Sequence, residues 1–182
     1  KTENKLYAFN NVKIVDQIKN IVIFTDKITY LKNEEIIFTE DNSRAFYKNI
    51  SLAANNFKYN KFSNILDAKG TVKIEDNENN YYVSSEIVTY YLEENRITTT
   101  GDTNANIKSK YNFYSSDLTI LRNENKLSSS NFTRLVDTNT TQYEFDEFIY
   151  FFENEFLKAK NILIKYDKNV PDGQTDNARF LD

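Results

Sequence analysis

The chain of 182 residues has no Cys, no His, no Met and no Trp, and only one Pro and three Gly. Without Cys there is no disulfide within it, and the redox compartment stays open. Missing His and Cys together remove the usual zinc ligands, the Ser–His and Cys–His nucleophile pairs and the commonest general base. An enzyme is disfavoured on that ground, and no catalytic residue, metal ligand or cofactor is assigned. No apolar run approaches the roughly 18 residues that suggest a membrane-spanning helix. The first ten residues carry no signal-peptide hydrophobic region, so a signal was removed or none existed. No basic block is present either. The net charge is −4, with both signs mixed along the chain. Nucleic acid and anionic membrane surfaces therefore have little electrostatic support as partners.

What is present is aromatic and β-branched. The sequence holds 14 Phe and 13 Tyr, and 40% of it is hydrophobic. Disorder needs few residues of these kinds, so this chain is expected to fold. Tyr, Phe, Ile, Val and Thr fit a pleated, half-buried surface. The length suits one domain with a sizeable core.

The chain repeats itself about every 30 residues. Asp26-Lys27-Ile28-Thr29-Tyr30 returns as Asn55-Asn56-Phe57-Lys58-Tyr59, as Glu86-Ile87-Val88-Thr89-Tyr90, as Ser116-Asp117-Leu118-Thr119-Ile120 and as Asp146-Glu147-Phe148-Ile149-Tyr150. The anchors at 30, 59, 90, 120 and 150 are 29, 31, 30 and 30 apart. Seven residues past each anchor lie Ile37, Leu66, Ile97, Leu127 and Leu157, and nine past lie the small residues Thr39, Ala68, Thr99, Ser129 and Ala159. Eleven past lie Asp41, Gly70, Gly101, Asn131 and Asn161, all tolerant of unusual backbone angles. Each unit reads as a strand to the anchor, a polar turn, a short strand to the Gly/Asn/Asp position and a third strand running on. Polar turns at this spacing predict an all-β sandwich or barrel-like fold. Period-2 alternation makes the anchor and the residue two before it dry, and the residue between them wet. A slip of one residue would reverse every side chain, so register is well specified. The pattern runs on at Ala178 and Phe180, and Asn10 to Ile14 resembles the back half of an earlier unit. The chain is expected to be a piece of a longer protein.

The unit Asp/Asn/Glu-x-apolar-x-Tyr, polar turn, apolar-x-small-x-Gly/Asn resembles the OstA-type repeat of lipopolysaccharide-transport proteins. Its clearest copies are Thr25-Asp26-Lys27-Ile28-Thr29-Tyr30 and Thr98-Thr99-Thr100-Gly101-Asp102. The likeness covers residues 12–182 and is strongest for the N-terminal periplasmic domain of LPS-assembly proteins of the LptD (OstA) type. It implies an incomplete β-jellyroll, open along one side, of many short antiparallel strands. Residues 1–182 would form one domain followed by an outer-membrane β-barrel. Acyl chains of lipid A would slide inside while the sugars stay outside, in the periplasm and associated with the outer membrane. The implied partners are lipopolysaccharide, an LptA-like bridge protein joined by edge-to-edge strand pairing, and an outer-membrane barrel with its lipoprotein plug. Relatives often tie this domain to the barrel by disulfides, and the missing Cys is a departure.

The resulting candidate groove is lined by Ile28, Tyr30, Ile37, Phe57, Tyr59, Leu66, Val88, Tyr90, Ile97, Leu118, Ile120, Leu127, Phe148, Tyr150 and Leu157. Each of these is also an ordinary core residue when taken singly. Val12, Ile14, Val22 and Phe24 form the candidate partner edge. Two alternatives stand beside this reading: a free-standing bridge protein of the LptA type, and a structural β-solenoid or adhesin segment without a lipid ligand. A carboxylate cluster at Glu144, Asp146, Glu147 and Glu153 has no Gly-rich metal loop beside it.

Overall fold

The computed structural model describes residues 4–166; the repeat positions Asp176, Ala178 and Phe180 lie outside them. Residues 4–166 form antiparallel strands and one 3-10 turn, Arg122–Glu124. In chain order the strands are β1 Lys5–Asp16, β2 Ile21–Leu31, β3 Ile36–Glu40, β4 Ser43–Tyr47, β5 Ile50–Ala54, β6 Asn56–Asn60, β7 Ile65–Asp76, β8 Tyr81–Tyr91 and β9 Arg96–Thr100. They continue as β10 Asp102–Ile107, β11 Tyr111–Ser116, β12 Thr119–Leu121, β13 Lys126–Ser129, β14 Thr133–Val136, β15 Gln142–Phe145, β16 Glu147–Phe151, β17 Phe156–Lys160 and β18 Leu163–Lys165.

The pairings arrange these strands as two leaves creased along one side. Leaf I runs β1, β2, β4, β5, β7, β8, β10, β11, β14, β15, β18, using residues 12–16, 21–24, 72–76 and 81–85 of the long strands. Leaf II runs β1, β2, β3, β6, β7, β8, β9, β12, β13, β16, β17, using residues 5–9, 27–31, 65–69 and 87–91. The four long strands cross the crease and belong to both leaves. The ladders end at β1 on one side and at β17 and β18 on the other, and no described pairing joins those ends. The architecture is therefore an open all-β jellyroll, as the resemblance to the OstA-type repeat implies, and not a closed barrel.

One difference from the expected unit is a second hairpin. The third strand does not run on to the next anchor. It turns at residues 48–49, 77–80, 108–110 and 137–141 and returns as β5, the first half of β8, β11 and β15. Each unit thus supplies two hairpins, one per leaf. Asn serves where Gly is scarce: Asn20, Asn64, Asn80, Asn95 and Asn125 all have φ near +50° at hairpin ends. Asn tolerates this left-handed region because its short amide bonds locally. At the crease, Asp41, Gly70, Gly101 and Asn161 are also left-handed, as their turn-former pattern predicts; Asn131 is not among them.

The small residues nine past the anchor have a definite place. Thr39, Thr99 and Ser129 sit in buried hydroxyl knots at the crease, with Thr25 and Ser43, with Ser85 and Thr103, and with Ser115 and Thr133. These hydroxyls serve backbone groups where the leaves diverge: Thr39 Oγ1 accepts from Phe57 N at 2.8 Å and Thr99 Oγ1 from Leu118 N at 2.9 Å. A buried N–H left unmet would cost about 1–3 kcal/mol. In the second unit the equivalent positions are Ala54, Ala68 and Val72, all buried and apolar.

The leaves face each other across one core. Aromatic pairs bridge them: Tyr47–Tyr90 at 5.6 Å, Tyr111–Tyr150 at 5.7 Å and a stacked Phe113–Phe148 at 5.1 Å between ring centroids. Each such pair adds about 0.5–1.5 kcal/mol to the area it buries.

Candidate functional site: an unsealed mouth between the leaves

The core ends in an apolar mouth beside β1. Ile14 of leaf I faces Ile28 and Ile37 of leaf II across a cavity of about 400 Å³, and Ile18 at its lip is 88% exposed. That volume is in the range of small-ligand sites, about 300–1,000 Å³. Asp16, Gln17, Tyr30 and Lys61 are its polar lining. Glu35 Oε2 accepts from Tyr30 Oη and from Lys61 Nζ, each at 2.6 Å, and the Lys61 ammonium stands 5.7 Å from the Tyr30 ring centre. The Lys61 hydrogen bond, then that from Tyr30, holds the Glu35 carboxyl below the usual range, and the Glu35 bond raises both Lys61 and Tyr30. The result is an apolar floor with a charged rim.

The structure divides the expected groove residues. Ile28, Tyr30 and Ile37 line the mouth. Phe57, Tyr59, Leu66, Val88, Tyr90, Ile97, Leu118, Ile120, Leu127, Phe148 and Tyr150 are buried in the packed middle, and Leu157 is half-buried on β17. All of them belong to leaf II. Their counterparts on leaf I were missed as a set: Ile23, Leu52, Val83 and Phe113 are fully buried or nearly so. A signal existed, because positions 23, 52, 83 and 113 keep the same 29-, 31- and 30-residue spacings.

Only half of the expected partner edge is an edge. Val12 and Ile14 lie on β1, whose outer side has no strand among the described residues. Val22 and Phe24 lie one strand in, because the 12 residues of β1 cover β2 on that side while β4 pairs with its other. On the outer face Phe24 packs edge-on against Phe46 at 5.9 Å. The carboxylates at 144–147 do not converge: Glu144 pairs with Lys165, Glu147 with Lys160, and Asp146 accepts from Asn161.

A feature the repeat concealed is a buried ion pair across the open seam, where the hairpin turns of the two leaves meet. Arg122 of leaf II donates Nε and Nη2 to Asp76 Oδ2 at 3.0 and 2.9 Å, with side-chain exposures of 7% and 0%. Burial pushes the Asp76 carboxyl up, but hydrogen bonds from Asn79 and Arg122 and the guanidinium charge outweigh it and hold it low. Towards β17 the seam is tied by Lys108 and Lys110 to Glu155, and towards β1 by Lys19 to Glu93. A larger concavity, about 1,000 Å³, lies outside the leaves along the crease, with Lys73, Glu86, Asp102 and Arg134 in its walls. Its walls also include Tyr114, Phe132 and the buried Val72.

No family model matches the chain, and no curated protein matches it. Among solved structures it is similar to LptH of Pseudomonas aeruginosa, described as the LptA-homologous periplasmic component of the lipopolysaccharide transport device. The match has 8% identity and a TM-score of 0.34 and covers 85% of this chain and 99% of that one. A likeness at that level carries no argument, and the fold rests on the strand pairings above.

Proposed function

We propose that the chain is a lipid-handling domain that holds the acyl chains of lipopolysaccharide between its leaves in the periplasm. It passes them from a bridge protein docked on β1 towards an outer-membrane translocon. The observation that carries this reading is the unsealed mouth at Ile14, Ile28 and Ile37, beside a strand with one free edge among the described residues. Each methylene moved from water into such a site contributes about 0.8 kcal/mol. A strand edge offers free backbone groups to an incoming strand, so lipid and partner would arrive at the same end. The sealed residues of leaf II join the path only when the leaves part.

A second reading has an observation of its own. Tyr59, Leu66, Tyr90 and Ile97 have no exposed surface, so the middle is filled by the chain itself. That favours a structural β scaffold.

Photo-crosslinkers at Ile28 and Ile37, compared with Thr29 on the outer face, separate the two. Incubation with lipopolysaccharide should give adducts from the first pair and none from Thr29. Equal or absent labelling at all three positions sinks the lipid reading and leaves the scaffold.

A further inference from the structure

The concavity outside the crease, about 1,000 Å³, has an ordered floor. Lys73 faces Ser84, Ser84 faces Asn104, Asn104 faces Tyr114 and Tyr114 faces Arg134 across successive strand pairs. Alternation puts all five side chains on the outer face, since the residues before and after each of them are buried. Four strand spacings make this row about 19 Å long. Glu86, Asp102 and Phe132 line the same trough two residues nearer the crease.

The polar groups of this trough are held ready rather than used. Asn104 Oδ1, in the middle of the row, is buried and has no hydrogen-bond partner. Such a carbonyl costs about 1–3 kcal/mol until an N–H or O–H reaches it. The equivalent positions of the flanking units hold Lys73 and Arg134. Among the described residues Lys73, Arg134, Glu86 and Asp102 enter no ion pair, although both signs of charge are present. The Arg134 guanidinium lies 4.6 Å from the centre of the Tyr114 ring. Tyr114 and Phe132 keep 37% and 60% of their surface exposed.

The chemistry of the trough narrows its occupant. The ladders from β7 through β8, β10 and β11 to β14 are complete, so an extended peptide finds no free strand edge here. Glu86 and Asp102 repel a nucleic-acid backbone. The trough suits a molecule whose groups both donate and accept, on a frame with apolar faces. Sugar rings have that character: hydroxyls for the serine, amide and charged side chains, and C–H faces for the aromatic rings. We propose that the trough binds a short oligosaccharide laid across the strands. Tyr114 and Phe132 take the C–H face of one sugar, and Asn104 accepts from a hydroxyl or acetamido N–H of the next. Lys73 and Arg134 bond the two ends from the row, and Glu86 and Asp102 bond hydroxyls from the crease side. The site is on the outer side of the crease, away from the seam, so it stands whether or not lipid enters between the leaves.

The test applies the full chain to an array of neutral, N-acetylated, amino and uronic-acid tetrasaccharides, with a tetra-alanine peptide beside them. The wild type should be captured by at least one sugar class and not by the peptide. Phe132→Ala and Asn104→Ala should each weaken that capture about fivefold or more. Both side chains lie on the outer face, so the unfolding midpoint should hold in each variant. Phe62→Ala, which removes an exposed ring from a hairpin turn at the seam, should bind as the wild type does. Capture by no sugar overturns the site. So does capture that survives both Phe132→Ala and Asn104→Ala. Equal weakening by Phe62→Ala also overturns it, because it marks adhesion to any exposed ring, and equal capture by the peptide does the same.

Discussion

The β1 end and the middle of the molecule are built from the same repeat and behave differently. At β1 the apolar positions Ile14, Ile28 and Ile37 border open space, and their rim is a solvated Tyr30–Glu35–Lys61 cluster. Across β7, β8, β9 and β12 the same positions are filled by Leu66, Val88, Ile97 and Ile120 with aromatics from the facing leaf. The difference comes from neighbours. Among the described residues a middle strand is covered on both sides by further units, whereas β1 is covered on one. A single sequence pattern thus lines a packed core in the middle and a cavity beside β1.

Substitutions should break this contrast most visibly in the middle. Leu66→Ala should cost about 2–5 kcal/mol of folding stability, because a packed site cannot collapse around the void. Ile28→Ala, at a mouth already open, should cost less than half as much in the same urea titration. Equal losses would mean that the mouth is packed in solution.

The crease offers a smaller contrast. Gly70 and Gly101 both have positive φ, but an added Cβ at Gly70 would stand 2.7 Å from the Asn55 amide, and at Gly101 it meets nothing. Gly101→Ala should cost about 1–2 kcal/mol for the backbone conformation alone. Gly70→Ala should exceed it, since Asn55 also holds Gly70 O through its N–H. Thermal melts of the pair would order them.

Alkaline pH should also act on the middle first. Burial, more than the nearby charges, pushes the Tyr90 hydroxyl up to about 12, and burial raises Tyr59, Tyr81 and Tyr150 further. Ionisation is resisted only in the folded state. The stabilisation is complete below the unfolded value, about 10, and is lost as pH rises through the folded values. Tyrosinate absorbance and circular dichroism should therefore change together above pH 10, as the middle unfolds.

The smallest effect belongs to the rim. Glu35→Gln should leave the unfolding midpoint unchanged, because the pair is solvated, and should lower the Lys61 pKa measured by NMR. A marked loss of stability would place the rim in the core after all.

Much of this was legible beforehand. The anchors and the residues seven past them map onto the dry face of leaf II because strand alternation is local and needs no knowledge of partners. The left-handed positions at Asp41, Gly70 and Gly101 follow from the side chains that tolerate them. The returning strands of leaf I, with Ile23, Leu52, Val83 and Phe113, were overlooked although these residues keep the same period, since a second hairpin inside each unit cannot be told from a strand running on by alternation alone. Val22 and Phe24 were set on the edge because an edge is defined by what lies next to a strand, and β1 lies next to β2.

By itself the sequence determined a β fold of about 30-residue units, its register and one of its two inner faces. These depend on a few consecutive side chains and on the backbone angles they allow. Only the tertiary structure decided that the middle is sealed and the β1 end open, and that Arg122 meets Asp76 across the seam. Those facts join residues 46 positions apart in the chain, and packing between leaves is set by the sum of neighbours, which no single repeat contains.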